Sequence, residues 1–410
     1  MIKVNKPKIR FNEFENTWIK SKLGELYEVY SGNTPSRSDS RNYQNGEIPW
    51  IKTTDLNNSI IYANEEKISV YGATKLKVLP EKSVLIAMYG GFNQIGRTGL
   101  LAYPATINQA LAALMPVNEI NPNFLLNFLN FKKESWRNVA ASSRKDPNIT
   151  KNDVEKLIIS FPSLDEQSAI GSLFRTLDDL LSSYKDNLAN YQSLKATMLS
   201  KMFPKAGQTV PEIRLDGFEG EWVEKRLKDI SKRVTRKNND LVSERALTIS
   251  AQFGLIDQEE FFQKKIASKD VSGYYLIKKG EFAYNKSYST GYPLGAIKRL
   301  DKYENGVLST LYILFKAVDV DSDYLAHYYE SDKWHREVSM CAAEGARNHG
   351  LLNIAPADFF NTRLVVPKEL EEQRAIGSYF SNLDNLINSH QEKISQLETL
   401  KKKLLQDMFV

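Results

Sequence analysis

The sequence has almost no cysteine, because Cys341 stands alone among 410 residues. A single cysteine cannot form an internal disulfide, and with only four histidines it cannot build a thiolate zinc site. Long apolar runs are also missing, and the segment SVLIAMY (83–89) falls far short of a membrane span. The first residues, MIKVNKPKIRF, contain no apolar signal-peptide core. We therefore expect a soluble, cytoplasmic protein.

Charge of one sign is not in large excess, since 55 Lys and Arg face 50 Asp and Glu, for a net charge of +5. This balance is only a weak indication of a polyanionic partner. Apolar residues make up 42% and charged residues 26%, which is the composition of a folded globular protein. The length is greater than that of one typical domain of about 100 to 200 residues, so two or more cores are expected.

What the sequence does contain is a duplication. LDEQSAIGSLFRTLDDLLSSY (164–184) recurs as LEEQRAIGSYFSNLDNLINSH (370–390), and the match continues to KMF (201–203) and DMF (407–409). An entry segment, PKIRFNEFENTW (7–18), likewise recurs as PEIRLDGFEGEW (211–222). The chain is therefore one unit of roughly 205 residues written twice, a period that indicates two domains rather than a solenoid.

Each copy ends in a predicted long helix, because apolar residues recur every three or four positions over about five heptads without proline. Such a helix is about 60 Å long at 1.5 Å per residue, so most of its apolar stripe must pack outside its own domain. We expect the two helices to form an antiparallel coiled coil. The predicted interface between them, and with other subunits, comprises Ile170, Leu177, Leu180, Leu188, Ile376, Leu383, Leu386 and Ile394.

The two bodies between these helices have the pattern of an α+β fold. Short apolar runs such as TGLLAY (98–103) and TLYILFKAV (310–318) predict strands. NPNFLLNFLNFKKESW (121–136) and DSDYLAHYYESDKWHREV (321–338) predict helices at matching places, each beginning at a capping Asn or Asp. The predicted fold class is α+β, with two pseudo-symmetric globular mixed α/β domains separated by two long antiparallel helices.

Catalytic motifs are scarce. GGFNQIGRT (90–98) has the spacing of a phosphate-binding loop, but it lies between two predicted strands, so a glycine-rich hairpin is the better interpretation. Asp55 with Glu65, Glu66 and Lys67 could bind a divalent ion in a nuclease, although such spacings arise by chance in a chain rich in charge. No amino-methyltransferase motif is present, since Pro-Pro never occurs.

Polar loops with basic and aromatic residues recur in both bodies, and they favour contact with nucleic acid. They offer donors for phosphates and side chains for base edges. The candidate DNA-binding residues, chosen by loop placement and donor chemistry, are Arg37, Arg97, Arg144, Lys286, Lys298, Arg299 and Arg347. The predictions include no catalytic residue and no metal ligand.

At these residues the chain resembles the specificity subunit of type I restriction-modification systems. The resemblance rests on SGNTPSRS (31–38), IPWIKTTDL (48–56), MYGGFNQIGRTGLL (88–101), EGARNHGLLNI (344–354) and the repeated helices. It implies target recognition domains at 1–163 and 207–369 and spacer helices at 164–206 and 370–410. Each domain would read one half of a bipartite DNA sequence.

The resemblance also implies which partners are required. They are double-stranded DNA, two modification subunits that methylate adenine, and restriction subunits that translocate and cut DNA. S-adenosylmethionine, ATP and Mg²⁺ would be bound by those partners, and no cofactor by this non-catalytic chain. Two other functions stay open: a scaffold that joins subunits without reading DNA, and a stand-alone nuclease that uses Asp55 and Glu65.

Overall fold

The computed structural model describes residues 6–91, 93–140, 148–250, 253–264, 270–287, 292–342 and 352–410. The chain divides into two compact units. The first unit is Met1–Asp186 with Gln391–Val410, and the second unit is Asn187–His390. Each unit therefore contains the first part of one long helix and the last part of the other.

The first unit is built from short strands and helices that precede one long helix. Its strands are β1 (Ile19–Lys22), β2 (Val29–Ser31), β3 (Ile48–Ile51), β4 (Ser59–Ile61), β5 (Lys67–Ile68), β6 (Val84–Ala87), β7 (Thr98–Leu101), β8 (Thr106–Ile107), β9 (Leu111–Leu114) and β10 (Ile158–Phe161). Its helices are α1 (Leu23–Leu26), α2 (Val70–Ala73), α3 (Pro122–Lys132), α4 (Trp136–Val139), α5 (Lys151–Lys156) and the first part of α6 (Leu164–Lys201).

A five-stranded sheet, ordered β2-β9-β6-β7-β4, is the centre of the first unit. Its inner strands β6 and β9 are VLIA and LAAL, and every residue in them is buried, which explains their continuous apolar runs. A three-stranded sheet, β5-β3-β8, and the pair β1-β10 complete the unit. Strands β6 and β7 pair antiparallel, so the glycine-rich segment between them connects the two strands of a hairpin. It does not connect a strand to a helix, as a phosphate-binding loop would.

The second unit repeats this plan with a smaller central sheet, ordered β12-β19-β16-β17. Its strands are β11 (Val223–Arg226), β12 (Ser231–Val234), β13 (Leu247–Ser250), β14 (Gly254–Asp257), β15 (Tyr275–Lys278), β16 (Phe282–Asn285), β17 (Ala296–Arg299), β18 (Asn305–Leu308), β19 (Ile313–Ala317) and β20 (Arg363–Val366). Its helices are α7 (Leu227–Ile230), α8 (Gln258–Phe262), α9 (Ser322–Tyr328), α10 (His335–Cys341), α11 (Pro356–Phe360) and the first part of α12 (Leu370–Met408).

The helix predicted over 321–338 is in fact two helices, α9 and α10. The expected cap is present, because the Asp321 carboxylate accepts a hydrogen bond from Tyr324 N. Helix α9 then ends because the Ser331 hydroxyl donates to Tyr328 O and Trp334 Nε1 donates to Tyr329 O. These side chains satisfy carbonyls that a continuing helix would have used.

The prediction of two long helices is confirmed, at 38 residues for α6 and 39 for α12. Within each unit the two helix segments run antiparallel. In the first unit Phe409, just after α12, has its ring centroid 5.9 Å from that of Phe174 in α6. In the second unit Phe203, just after α6, stacks on Phe380 of α12 at 5.9 Å. Each long helix therefore starts in the core of one unit and ends in the core of the other.

The residues predicted at the helix interface fall into three groups. Ile170, Leu177, Ile376 and Leu383 are buried in the cores, and Leu188 and Ile394 are half-buried. Leu180 and Leu386 are instead exposed, at 42% and 40%. Their neighbours Leu181, which is buried, and Ile387, which is half-buried, turn inward in their place, because 3.6 residues per turn drift from a strict seven-residue repeat. The prediction that Leu180 and Leu386 pack between the two helices is therefore wrong.

Candidate nucleic-acid interface

A glutamate in the first turn of each repeated helix fixes the entry segment of that copy. In the first unit Arg10 donates from Nε and Nη2 to both oxygens of Glu166, each at 2.7 Å. In the second unit Arg214 does the same to Glu372, at 2.8 Å for each bond. A bidentate guanidinium–carboxylate pair is both strong and directional. The recurring Arg and Glu of the duplication are therefore one contact made twice.

The next residue of the repeat, a glutamine, holds the helix that the body presents to the spacer. Gln167 Oε1 accepts from Asn121 N, while its amide nitrogen donates to Pro162 O. In the second unit Gln373 makes the same two contacts, with Asp321 N at 2.8 Å and Pro367 O at 2.9 Å. The start of α3 and the start of α9 are thereby fixed to the first turns of α6 and α12.

The glycine of the repeated AIG segment allows the start of α3 to pack closely on α6, and the start of α9 to pack closely on α12. A Cβ on Gly171 would lie 2.9 Å from Asn123 Cβ, and one on Gly377 would lie 2.8 Å from Tyr324 N. Real Cβ atoms do not come that close to their neighbours, so any larger residue must push the body away from the spacer helix.

A lysine–aspartate pair joins the two helix segments inside each unit. Lys401 pairs with Asp178 in the first unit, and Lys195 pairs with Asp384 at 2.5 Å in the second. In the second unit the pair belongs to a larger group, in which Lys195 also contacts Glu330 at 2.8 Å and His327 Nδ1 lies 3.1 Å from Glu330.

His327, Glu330 and Asp384 are the one set with metal-ligand spacing in the part of the chain that the structure describes. The ammonium of Lys195 lies between its two carboxylates, so the positive charge is already supplied by the protein. Burial raises the pKa of Glu330, but hydrogen bonding to His327 and the charges of Lys195 and Lys298 outweigh it, so the net pKa is far below its usual range. This group is therefore an ion-pair network.

Among the predicted DNA-binding residues that the structure describes, Arg37 is the most exposed. Its side chain is 58% exposed, and its guanidinium pairs with Glu66. The guanidinium carbon lies 4.2 Å from the ring centroid of Tyr43 and 5.3 Å from that of Trp50. Sequence reasoning did not single out Tyr43, Trp50 or Lys52 as a group, because their contacts join a loop, a strand end and a second loop.

The other predicted contacts that the structure describes have partners within the protein. Arg97 Nε donates to Asn93 O, and the half-buried Lys286 ammonium donates to Ile354 O, where burial lowers its pKa. Lys298 lies 3.5 Å from Glu330.

The Arg299 side chain is only 17% exposed, and it pairs with both Asp301 and Asp323, each at 2.7 Å. Burial alone would lower the pKa of Arg299, but the two carboxylates outweigh it and raise that pKa. A DNA contact by Arg299 would need these ion pairs to open. Arg144 and Arg347 lie outside the described residues.

The residues considered for a nuclease do not form an acidic metal cluster. The carboxylate of Asp55 accepts from Lys52 N and caps a short 3-10 helix, Thr53–Asp55. Glu66 pairs instead with Arg37 and Lys52. Both carboxylates thus have structural partners on the protein.

Residues 15–190 match the model of the family described as the type I restriction modification DNA specificity domain. The match covers less than half of the chain, and over these residues the chain is similar to that family. The specificity-subunit resemblance noted from the residues is thereby confirmed. The family match starts in the entry segment and ends within α6.

Two curated relatives are specificity subunits. The Escherichia coli EcoR124I/EcoR124II specificity subunit is 26% identical over 188 residues, which is 44% of this chain and 45% of that protein. The match therefore spans less than half the length of that relative. The Methanocaldococcus jannaschii MjaVIII specificity subunit is 21% identical over 406 residues, covering 95% of this chain and 91% of the relative.

Solved structures support the fold. The specificity subunit of the type I restriction-modification system of M. genitalium superposes with a TM-score of 0.62 at 16% identity, covering 99% of both chains. A chain from a structure of type I restriction-modification complex assembly gives a TM-score of 0.52 at 16% identity, covering 96% of this chain and 97% of that one. Two mixed α/β bodies with two long helices are therefore a fold that this chain shares with those structures.

The described part of the chain contains no helix that is both long enough and apolar enough to cross a membrane.

Proposed function

We propose that this chain is the DNA-sequence specificity subunit of a type I restriction-modification complex. Each body reads one half of a bipartite target, and the long helices set the spacing between the halves. The observation that carries the proposal is that one frame is built twice around different loops. The pairs Arg10–Glu166 and Arg214–Glu372 hold the two copies of that frame.

The duplicated frame also suits two identical partners. Two copies of one docking surface can hold two identical subunits in equivalent ways. We therefore propose that two modification subunits bind along α6 and α12. The exposed leucines Leu180 and Leu386, at equivalent places in the two copies, are candidates for that contact. Restriction subunits would join the same complex.

The chemistry in this proposal belongs to the partners. The chain supplies recognition, while methyl transfer from S-adenosylmethionine, ATP-driven translocation and Mg²⁺-dependent cutting take place on the modification and restriction subunits. Adenine methylation within a duplex would require the modification subunit to flip the base out of the helix. Affinity would combine sequence-blind phosphate contacts, which depend on salt, with base contacts of about 1 to 3 kcal/mol each. Arg37, Arg97, Arg144, Lys286, Lys298, Arg299 and Arg347 stay the proposed DNA contacts.

The test is methylome sequencing of cells with and without the gene. We expect loss of one bipartite N6-methyladenine motif when the gene is removed. Replacing only 1–163 with the matching body of another such subunit should then change one half of that motif. An unchanged methylome would indicate a scaffold without a reading function, and a change in both halves would contradict the assignment of one body to one half.

A further inference from the structure

The exposed Arg37 of the first unit belongs to a cluster of side chains in mutual contact, here named the Arg37 cluster. Its members are Arg37, Tyr43, Trp50, Lys52 and Glu66. Arg37 Nη2 pairs with Oε1 of Glu66, and Oε2 of Glu66 lies 2.6 Å from Lys52 Nζ. The rings of Tyr43 and Trp50 lie under the guanidinium. The carboxylate and the two rings restrict an otherwise long and flexible side chain.

The platform under Arg37 is itself fixed. Trp50 is buried, and its Nε1 donates to Asn33 O at 3.3 Å. The Tyr43 hydroxyl donates to Pro35 O at 2.5 Å. Within the described part of the chain, Glu66 is the one ion-pair partner recorded for Arg37, and the side chain is still 58% exposed. Donors on a fixed guanidinium therefore face outward.

A donor fork beside an acceptor has the chemistry of one particular base pair. In the major groove guanine presents two acceptors, O6 and N7, and its partner cytosine presents an amino donor at N4. Arginine donates to both guanine acceptors, and a carboxylate accepts from the cytosine amino group. The Arg37 cluster contains both groups in direct contact.

Resting on the proposed function, we propose that the Arg37 cluster reads a G·C base pair in the half-site bound by the first unit. Arg37 donates to O6 and N7 of the guanine, and Glu66 accepts from N4 of the paired cytosine. Tyr43, Trp50 and Lys52 are positioning residues, because they hold these two groups without contacting the base pair.

The alternative contact for Arg37 is a phosphate, and Glu66 disfavours it. Burial raises the pKa of Glu66, but hydrogen bonds from Lys52 and Arg37 outweigh it, so the net pKa is lowered. Glu66 is therefore ionised at neutral pH and would repel a phosphate placed against Arg37. A base edge carries no such charge, and it offers a donor to the carboxylate.

The experiment uses the full chain with its modification subunits, on duplexes that carry the bipartite motif found by methylome sequencing. Arg37→Lys keeps the charge but loses the planar fork. We expect it to lose roughly 5- to 150-fold in discrimination at one G·C position of one half-site. Replacing that guanine with 7-deazaguanine, which lacks N7, should weaken DNA binding by the unaltered protein. The same replacement should not weaken DNA binding by Arg37→Ala any further.

Glu66→Gln is the second variant, because it keeps the side-chain shape and removes the charge. We expect it to weaken discrimination at the same base pair only. In each variant the half-site read by the second unit serves as an internal folding control, since its discrimination should not change.

Arg41 provides the matched control, in the same loop and beside a carboxylate and an aromatic ring. Its Nε and Nη2 both donate to Asp39, each at 2.9 Å, and its guanidinium lies 4.9 Å from the Tyr71 ring. Because Asp39 already binds the Nε and Nη2 edge of this guanidinium, Arg41→Lys should leave the motif intact. A phosphate role for Arg37 would appear differently, as an unchanged motif with a salt slope reduced by about 0.9 in Arg37→Ala.

That phosphate result, or discrimination unchanged in Arg37→Lys, would overturn the base-pair assignment while the proposed function stands. Absence of any bipartite motif for the unaltered protein would instead remove the proposed function, and this inference with it.

Discussion

Lys195 Nζ lies 2.5 Å from Asp384 Oδ1 and 2.8 Å from Glu330 Oε2, which makes one lysine of α6 the common partner of two carboxylates in the second unit. The same position in the other copy, Lys401, pairs with Asp178 in the first unit. These four residues of the helices belong to the duplicated frame, while Glu330 belongs to the body of the second unit alone.

Replacing Lys195 with methionine should destabilise the second unit by about 1 to 3 kcal/mol. The reason is that Asp384 and Glu330 would lose the cation between them and repel each other. Hydrogen exchange of amides in α9 and in the first part of α12 would measure the effect. The matched control is Lys185→Met, because Lys185 pairs with Glu398 at 2.7 Å on an exposed surface. An exposed pair contributes under about 1 kcal/mol, so equal effects of the two variants would contradict the prediction.

The lowered pKa of Glu330 predicts that the stability of the second unit depends on pH. A carboxyl group whose pKa is lowered by folding contributes stability at pH values above its unfolded pKa, which for a glutamate is ordinarily 4.5. That contribution is lost as the pH falls through and below this value. We expect the second unit to lose stability between neutral pH and pH of about 3 more steeply in the unaltered protein than in Glu330→Gln.

Unfolding followed at a series of pH values would give the two slopes. Glu224→Gln is a suitable control, because Glu224 makes an exposed pair with Arg363 at 3.3 Å. Parallel pH curves for Glu330→Gln and the unaltered protein would show that Glu330 does not titrate as the structure implies.

Replacing Arg10 with methionine should destabilise the first unit by about 3 kcal/mol, at the low end for a broken buried ion pair. Glu166 is 1% exposed, and without Arg10 it would remain buried without its cation. Hydrogen exchange should rise at β1 and the start of α6 and stay unchanged in the second unit. Arg175→Met is the control, since Arg175 lies 3.9 Å from Asp179 with both side chains exposed. An effect of Arg10→Met spread equally over both units would contradict the assignment of this pair to one unit.

Gly171→Ala should destabilise the first unit even though alanine is the better helix former by about 1 kcal/mol. The added Cβ would lie 2.9 Å from Asn123 Cβ, so α3 must move and the contacts of Gln167 must weaken. Overpacking of this kind costs about 1 to 3 kcal/mol. Thermal unfolding of Gly171→Ala would measure it, with the exposed Ser172→Ala as control, for which a change within about 0.5 kcal/mol is expected. A stabilised Gly171→Ala would show that the close approach is not tight.

The sequence predicts the long helices well because their pattern is local and long. The break between α9 and α10 was not predicted, since it depends on hydrogen bonds such as that from Trp334 Nε1 to Tyr329 O. Leu180 was predicted at the helix interface, but Leu181 is the buried residue, because a seven-residue period and a straight helix differ by about 20° per heptad. The division of the chain into four segments at 164, 207 and 370 stays a prediction. The two compact units are divided within the long helices instead, so they do not test those boundaries.

The candidate DNA contacts were less predictable than the fold. Loop placement identified Arg37, but its partners Trp50 and Glu66 lie in other segments, and only tertiary contacts bring them together. Loop placement also proposed Arg299, whose donors meet Asp301 and Asp323. A basic residue near a loop therefore indicates donor chemistry, whereas its availability depends on carboxylates elsewhere in the fold.

The last residues of the chain should be needed for the first unit. Phe409 is buried, and its ring lies 5.3 Å from Phe124, 6.0 Å from Phe131 and 5.9 Å from Phe174. Phe409→Ala should therefore destabilise the first unit by about 3 to 5 kcal/mol, the usual range for a buried phenylalanine. Hydrogen exchange at α3 would report the loss although Phe409 is far from α3 in sequence.

Phe203→Ala is the matched variant, because Phe203 is the same residue of the repeat and packs against Tyr324, Tyr328 and Phe380. It should raise exchange at α9 in the second unit and leave α3 unchanged, so the two variants should give opposite patterns. If Phe409→Ala raised exchange in α9 and not in α3, the last part of α12 would not belong to the first unit. The physical reason for expecting the crossed pattern is that each helix ends by burying its terminal phenylalanine in the unit it did not start from.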